Sequence, residues 1–140
     1  MAHLLQLQTF SSEKGHLTVF EEVLPGIIQR AFYIYGVGDA LRAGHRHVKT
    51  WNALVCVAGK CRVLVEDGNV HEEYWLDTPE KCLVLEPKDW HVMDSFSDNA
   101  VLFVLSNELY NKADYIYEPY PASRIQPEAA SRIQPEAITA

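Results

Sequence analysis

Apolar residues along the chain fall into short runs with two-residue alternation, each closed off by glycine, proline or aspartate. Residues 4–10, 17–20, 27–37, 53–57, 61–65, 70–76, 81–85, 91–93 and 100–105 read as strands, and no helical period is present before residue 106. Ala58-Gly59 and Asp67-Gly68-Asn69 are hairpin turns, while Leu24-Pro25-Gly26 and Glu86-Pro87-Lys88 break the chain into loops. Many short strands at this spacing predict an all-β sandwich or barrel. The run at 100–105 is apolar on both faces and predicts a central strand, whereas 70–76 carries His71, Glu72 and Glu73 and predicts a strand near an edge. A short helix is expected over 108–113, with Ser106 or Asn107 as its cap.

The pattern breaks beyond Tyr120. Residues 122–129 read ASRIQPEA and 130–137 repeat them letter for letter. One reading is a polar, proline-interrupted tail or linker over 121–140 that packs loosely. The other starts from Ile-x-Pro-x-Ala at Ile125 and Ile133, which resembles the opening coil of left-handed β-helix acyltransferases and would make the tail the start of such a domain. Either way the barrel domain is expected to span 1–120.

Composition narrows the class. A chain of 140 residues with 48% hydrophobic content can bury one core without disulfide or metal staples. Cys56, Cys61 and Cys82 match no zinc or thioredoxin spacing, and no secretory signal peptide precedes them, so a reducing cytoplasm is expected. Cys56 and Cys61 flank a tight turn and could face each other across a hairpin; buried free thiols are the alternative adopted here. The net charge of −7 argues against nucleic acid as a partner, and an anionic small ligand would need a local basic pocket. No apolar run approaches the ~20 residues a membrane-spanning helix requires.

The chemistry concentrates in Gly44-His45-Arg46-His47 and in Pro87-Lys88-Asp89-Trp90-His91. In an extended segment His45 and His47 face the same way, and two imidazoles then share one pocket. A barrel metal site would place a carboxylate shortly after the second histidine, where Trp51 and Asn52 stand instead. The histidines are therefore read as proton carriers with no metal and no cofactor. Imidazole, with an ordinary pKa of about 6.5, can take a proton near neutral pH and return it. Two alternatives stay open: a metal-dependent enzyme with His45, His47 and His91 as ligands, and histidines that merely hold the barrel mouth together. Trp51 shares parity with Ala53, Val55 and Val57 and reads as core.

Taken in order, Lys14-Gly15-His16-Leu17, Arg30 to Tyr35, Arg42-Ala43-Gly44-His45-Arg46-His47, Leu54-Val55-Cys56-Val57-Ala58-Gly59, Trp90-His91-Val92-Met93 and Asp114-Tyr115-Ile116 resemble the cupin sugar-nucleotide 3,4-ketoisomerases over residues 5–120. The resemblance implies a cupin jelly roll (double-stranded β-helix) that works as a metal-free homodimer on a dTDP-linked 4-keto-6-deoxy-glucose. The ketone moves from C4 to C3 through an enediol, and an aminotransferase and a fused or partner N-acetyltransferase then build an amino sugar for surface glycans such as lipopolysaccharide O-antigen. His47 is expected to carry the proton between carbons beside His45, with the order of the two roles open. Tyr33 falls where the family has an active-site tyrosine and would pass a proton between the C3 and C4 oxygens. Arg42 would grip the diphosphate, and Arg30 is either a second such group or a solvated strand residue. Lys14 and His91 resemble the branch that yields the galacto product, a 3-keto-6-deoxy-galactose. A non-catalytic cupin that only binds a sugar nucleotide is the alternative of a different class.

Overall fold

The computed structural model of the chain describes residues 1–125. The strands are β1 (His3–Gln6), β2 (Thr9–Ser12), β3 (Gly15–Thr18), β4 (Arg30–Tyr35), β5 (Arg42–His47), β6 (Asn52–Ala58), β7 (Cys61–Glu66), β8 (His71–Leu76), β9 (Lys81–Leu85), β10 (Trp90–Asp94), β11 (Val101–Ser106) and β12 (Tyr115–Ile116). All pair antiparallel, one five-stranded sheet running β1-β9-β6-β11-β4 and the other β12-β5-β10-β7-β8, with β2 and β3 as a separate hairpin. This is the expected cupin barrel. As their composition required, β11 has a neighbour on each side and β8 is an edge.

Three apolar layers hold the sheets. Leu54 and Cys56 of β6, Val63 and Val65 of β7, and Leu102 and Val104 of β11 meet between the sheets. The opposite parity of β6 and β9, Ala53, Val55, Cys82 and Val84, is also buried, under Leu5, Leu7, Phe20, Val23, Leu24, Trp51 and Leu105. Strands covered on both faces lose their polar alternation, which is why β6 and β9 read as nearly continuous apolar runs. On the outside of the second sheet, Trp90 and Val92 of β10 lie beneath Tyr120 and Ile125. Trp51 packs in the second layer, in keeping with its parity. All three cysteines are free and buried.

Three boundaries differ from expectation. The 4–10 run is two strands, because the chain leaves β9 after Leu7, whose amide bonds Glu80 O at 2.7 Å, and β2 then folds onto β3. The helix expected at 108–113 is only a 3₁₀ turn at Lys112–Asp114, capped by Asn111. Asn107 caps nothing: its side chain accepts from the Trp51 amide at 2.9 Å and donates to Pro25 O at 3.1 Å. Residues 121–125 are packed rather than loose, since Glu66 accepts from the Ser123 hydroxyl and the Arg124 amide and Ile125 is buried. The remainder of the repeated tail, including Ile133, lies outside the described residues. Among the described residues no helix is long and apolar enough to cross a membrane.

Candidate active site

β5 and β10 are neighbours, with His45 opposite His91, and β12 places Tyr115 opposite His47. Residues opposite one another on antiparallel strands share a face. All four side chains therefore point between the sheets, into a cavity of about 480 Å³. The His45 ring centre lies 4.9 Å from His47 and 4.8 Å from both His91 and Tyr115, and Tyr115 lies 4.7 Å from His47.

Arg42 also lines this cavity, although an odd separation from His45 would put the two on opposite faces of a regular strand. A bulge resolves the conflict. His45 pairs with His91, Ala43 with Val92 and Arg42 with Met93, so Gly44 is the extra residue. Gly44 takes φ 75°, which glycine tolerates; Ala43 takes φ 69°, strain of about 1–3 kcal/mol that the surrounding pairing holds in place.

The three imidazoles have different partners. His47 Nδ1 is 2.8 Å from Asp114 Oδ2, and Asp114 also accepts from the Thr50 hydroxyl at 2.5 Å and the Lys49 amide at 2.8 Å. Burial alone would raise the Asp114 pKa, but the bonds from His47, Thr50 and Lys49 outweigh it and bring the pKa down to about 2. An ionised carboxylate only accepts, so Nδ1 of His47 carries the proton and Nε2 of the neutral ring carries the lone pair. His91 Nδ1 donates to Asp89 O at 3.1 Å. Burial, followed by the neighbouring His47, lowers His91 to about 3, and burial followed by His91 and His47 holds His45 well below the ordinary histidine range. His45 and His91 are thus fixed as neutral hydrogen-bonding groups. Of the three rings, His47 is the one with a carboxylate within hydrogen-bond distance.

Arg30 completes the wall. Its guanidinium stacks over Phe32 at 4.5 Å, its Nη1 donates to Tyr115 Oη at 3.5 Å, and its buried Nη2 has no hydrogen-bond partner. The reading of Arg30 as a solvated strand residue is therefore set aside. Two expected residues are placed differently. Alternation along β4 turns Arg30, Phe32 and Ile34 inward and Tyr33 outward, so Tyr33, although it lines the cavity, is 62% exposed, its ring stacked on Tyr35 and Phe103. Lys14 sits in the exposed turn between β2 and β3 and does not line the cavity. Conversely, Asp114, Thr50 and Tyr115 belong to the site without having been singled out for it. Among the described residues no three His, Cys, Asp or Glu side chains are grouped to hold a metal ion.

The fold and site define a cupin barrel with a carboxylate-backed histidine in its interior. Residues 1–122 match the family described as "FdtA: WxcM-like, C-terminal", and the chain belongs to that family. It is 36% identical over 116 residues, 81% of this chain and 84% of the other, to a TDP-4-oxo-6-deoxy-alpha-D-glucose-3,4-oxoisomerase of Aneurinibacillus thermoaerophilus. Among solved structures it is similar to the TDP-fucose-3,4-ketoisomerase WlaRA of Campylobacter jejuni (29% identity, TM-score 0.78, 84% of this chain and 89% of that one). A histidine-to-asparagine variant of the Thermoanaerobacterium thermosaccharolyticum 3,4-ketoisomerase QdtA, in complex with TDP-4-keto-6-deoxyglucose, gives a TM-score of 0.80 at 29% identity, over 84% and 87% of the chains.

Neutral burial of His45 and His91 makes stability depend on pH. Their folded pKa values lie below the unfolded value of about 6.5, so between that pH and about 3 the unfolded chain binds more protons. Their contribution is complete above pH 6.5 and is lost as pH falls, on the order of 2 kcal/mol for His91 by pH 5, with His45 acting in the same direction. Urea denaturation of wild type should show this decline, and His91→Gln should flatten it; equal slopes for both proteins would contradict the assignment.

Proposed function

We propose that the chain is a sugar-nucleotide 3,4-ketoisomerase that converts dTDP-4-keto-6-deoxy-glucose to its 3-keto isomer with His47 as base. The observation that carries this is the bond from His47 Nδ1 to Asp114, which leaves Nε2 as a proton acceptor in the cavity. His47 removes the C3 proton, the electron pair forms the C3–C4 double bond, and the C4 oxygen takes the negative charge. The hydroxyl proton then passes from the C3 oxygen to the C4 oxygen. The C3 oxygen collapses to the ketone and the proton on His47 goes to C4. No redox equivalent enters or leaves. A base positioned in this way contributes roughly 10²–10⁴-fold, and stabilisation of the oxyanion supplies more. The unpartnered Nη2 of Arg30 is suited to that second task, and His45 and His91 to orienting hydroxyls as neutral groups.

Arg42, which with Arg30 lines the cavity of an otherwise acidic protein, is assigned to the diphosphate. The product is assigned the galacto configuration on the strength of His91 inside the cavity; Lys14 lies outside the cavity and supports this only through the resemblance. The acting unit is assigned as a homodimer, because the outer face of β4 leaves Tyr33 and Tyr35 62% and 68% exposed, beside Val57 at 47%. Three free thiols suit a reducing cytoplasm. An aminotransferase and an N-acetyltransferase would consume the product.

Incubation with TDP-4-keto-6-deoxyglucose in heavy water should give the 3-keto product with solvent label and an axial C4 hydroxyl by proton NMR. His47→Asn should lose at least about 10²-fold in turnover while keeping affinity. Saturable binding with neither label nor product would leave only a binding protein, and an equatorial hydroxyl would overturn the galacto assignment. Sedimentation should show a dimer that Tyr33→Asp with Tyr35→Asp converts to monomer; a monomeric wild type would contradict the interface.

A further inference from the structure

Away from the cavity, residues 120–125 form a strap across the outer face of β10, held at three consecutive positions. Ser123 donates its hydroxyl to Glu66 at 2.5 Å, the Arg124 amide donates to the other Glu66 oxygen at 2.6 Å, and Ile125 is buried with Trp90 and Val92. Ser123 Oγ also accepts from the Ile125 amide at 3.1 Å, a local bond that fixes the bend delivering Ile125 to the apolar layer. Glu66 is itself buried, so lifting the strap would take two donors from a buried acceptor and open the layer over Trp90. The seat reads a hydroxyl, then a main-chain N–H, then an apolar side chain, and the arginine in the middle position is exposed.

Ser-Arg-Ile occurs at 123–125 and again at 131–133, with alanine before each and Gln-Pro-Glu-Ala after each. Every group that the seat engages in the first copy is therefore supplied by the second.

We propose that the seat formed by Glu66, Trp90 and Val92 takes residues 131–133 of the same chain as an alternative to 123–125, so that the strap closes in two registers. Tyr120, whose hydroxyl donates to Lys88 O at 2.7 Å, is the fixed point upstream in both. Loop closure weakens only with about the three-halves power of length, so the eight added residues cost a factor on the order of ten. The first register has a further bond, from the Ser123 amide to Tyr120 O at 2.9 Å, made by the residue three positions on from Tyr120. The first copy is therefore the major occupant and the second its reserve. A second copy from another molecule is disfavoured, because it competes from dilute solution with a tethered segment whose effective concentration is on the order of millimolar. The slip moves eight residues from the chain beyond the seat to the chain before it, which shortens the free tail without uncovering β10.

Labelling with 5-fluorotryptophan tests this, because the fluorine NMR signal of Trp90, identified by its loss in Trp90→Phe, moves between light and heavy water only when the ring is uncovered. Wild type and Ile133→Asp should show almost no solvent shift. Ile125→Asp should keep most of that protection, since Ile133 takes over, whereas Ile125→Asp with Ile133→Asp should give the full shift of an exposed ring. A peptide with the sequence of 122–129, added at millimolar concentration to the double variant, should restore protection. Full exposure in Ile125→Asp alone would overturn the proposal, as would a Trp90 still covered in the double variant or a peptide without effect. Protection in Ile125→Asp that disappears on dilution would mean that the second copy comes from another molecule, and would overturn the two-register strap. Should the double variant not fold, Ser123→Ala, Ser131→Ala and the pair give the same comparison: the pair should exceed the sum of the single effects, and additive effects would count against the proposal.

Discussion

The bond between His47 and Asp114 is the constraint on which the site depends. His47 and His91 both pack within 5 Å of the His45 ring in a buried space, where neighbouring imidazoles oppose one another's protons, and His45 and His91 are held neutral there. Asp114 breaks that symmetry. It fixes which nitrogen of His47 faces the cavity, while burial keeps the other two rings uncharged. The same side chain ties the 3₁₀ turn to the segment 47–50, because Thr50 and the Lys49 amide bond it as well.

The barrel's layers serve this arrangement from outside. Arg46, between the two cavity histidines, points the other way and stacks at 4.0 Å on Tyr120, whose hydroxyl donates to Lys88 O. Trp90, next to His91 in β10, packs with Ile125 and Tyr120 on that outer face. Each histidine therefore has a packed neighbour of opposite parity on the outer face. The bulge at Gly44 adds Arg42 to the inner face, which a regular strand would deny.

How much of this could be read from residues alone varies by element. β6, β7, β9 and β11 were legible because burial of one or both faces writes a strong apolar pattern, and the shared face of His45 and His47 followed from strand geometry. The 108–113 segment was misread because Asn107 looks like a cap; only the fold shows that its amide is committed to Trp51 and Pro25. Asp114 stands far from His47 in the chain, and the strand that delivers Tyr115 has two residues, too short for any periodicity. Both sit in the Asp-Tyr-Ile stretch that carries the family resemblance, but nothing local assigns them a role. The outward turn of Tyr33 was illegible for a related reason: parity along β4 is visible in sequence, but which parity faces inward depends on pairing with β11.

Nitrogen-15 NMR of the histidine side chains tests the central claim most directly, because it reads the position of the ring proton without substrate. The account predicts that neutral His47 carries its proton on Nδ1, with Nε2 as an unprotonated nitrogen, and that Asp114→Asn disturbs this signature at His47 while leaving His91 unchanged. A wild-type spectrum with the proton of His47 on Nε2 would contradict it, since no lone pair would then face the cavity.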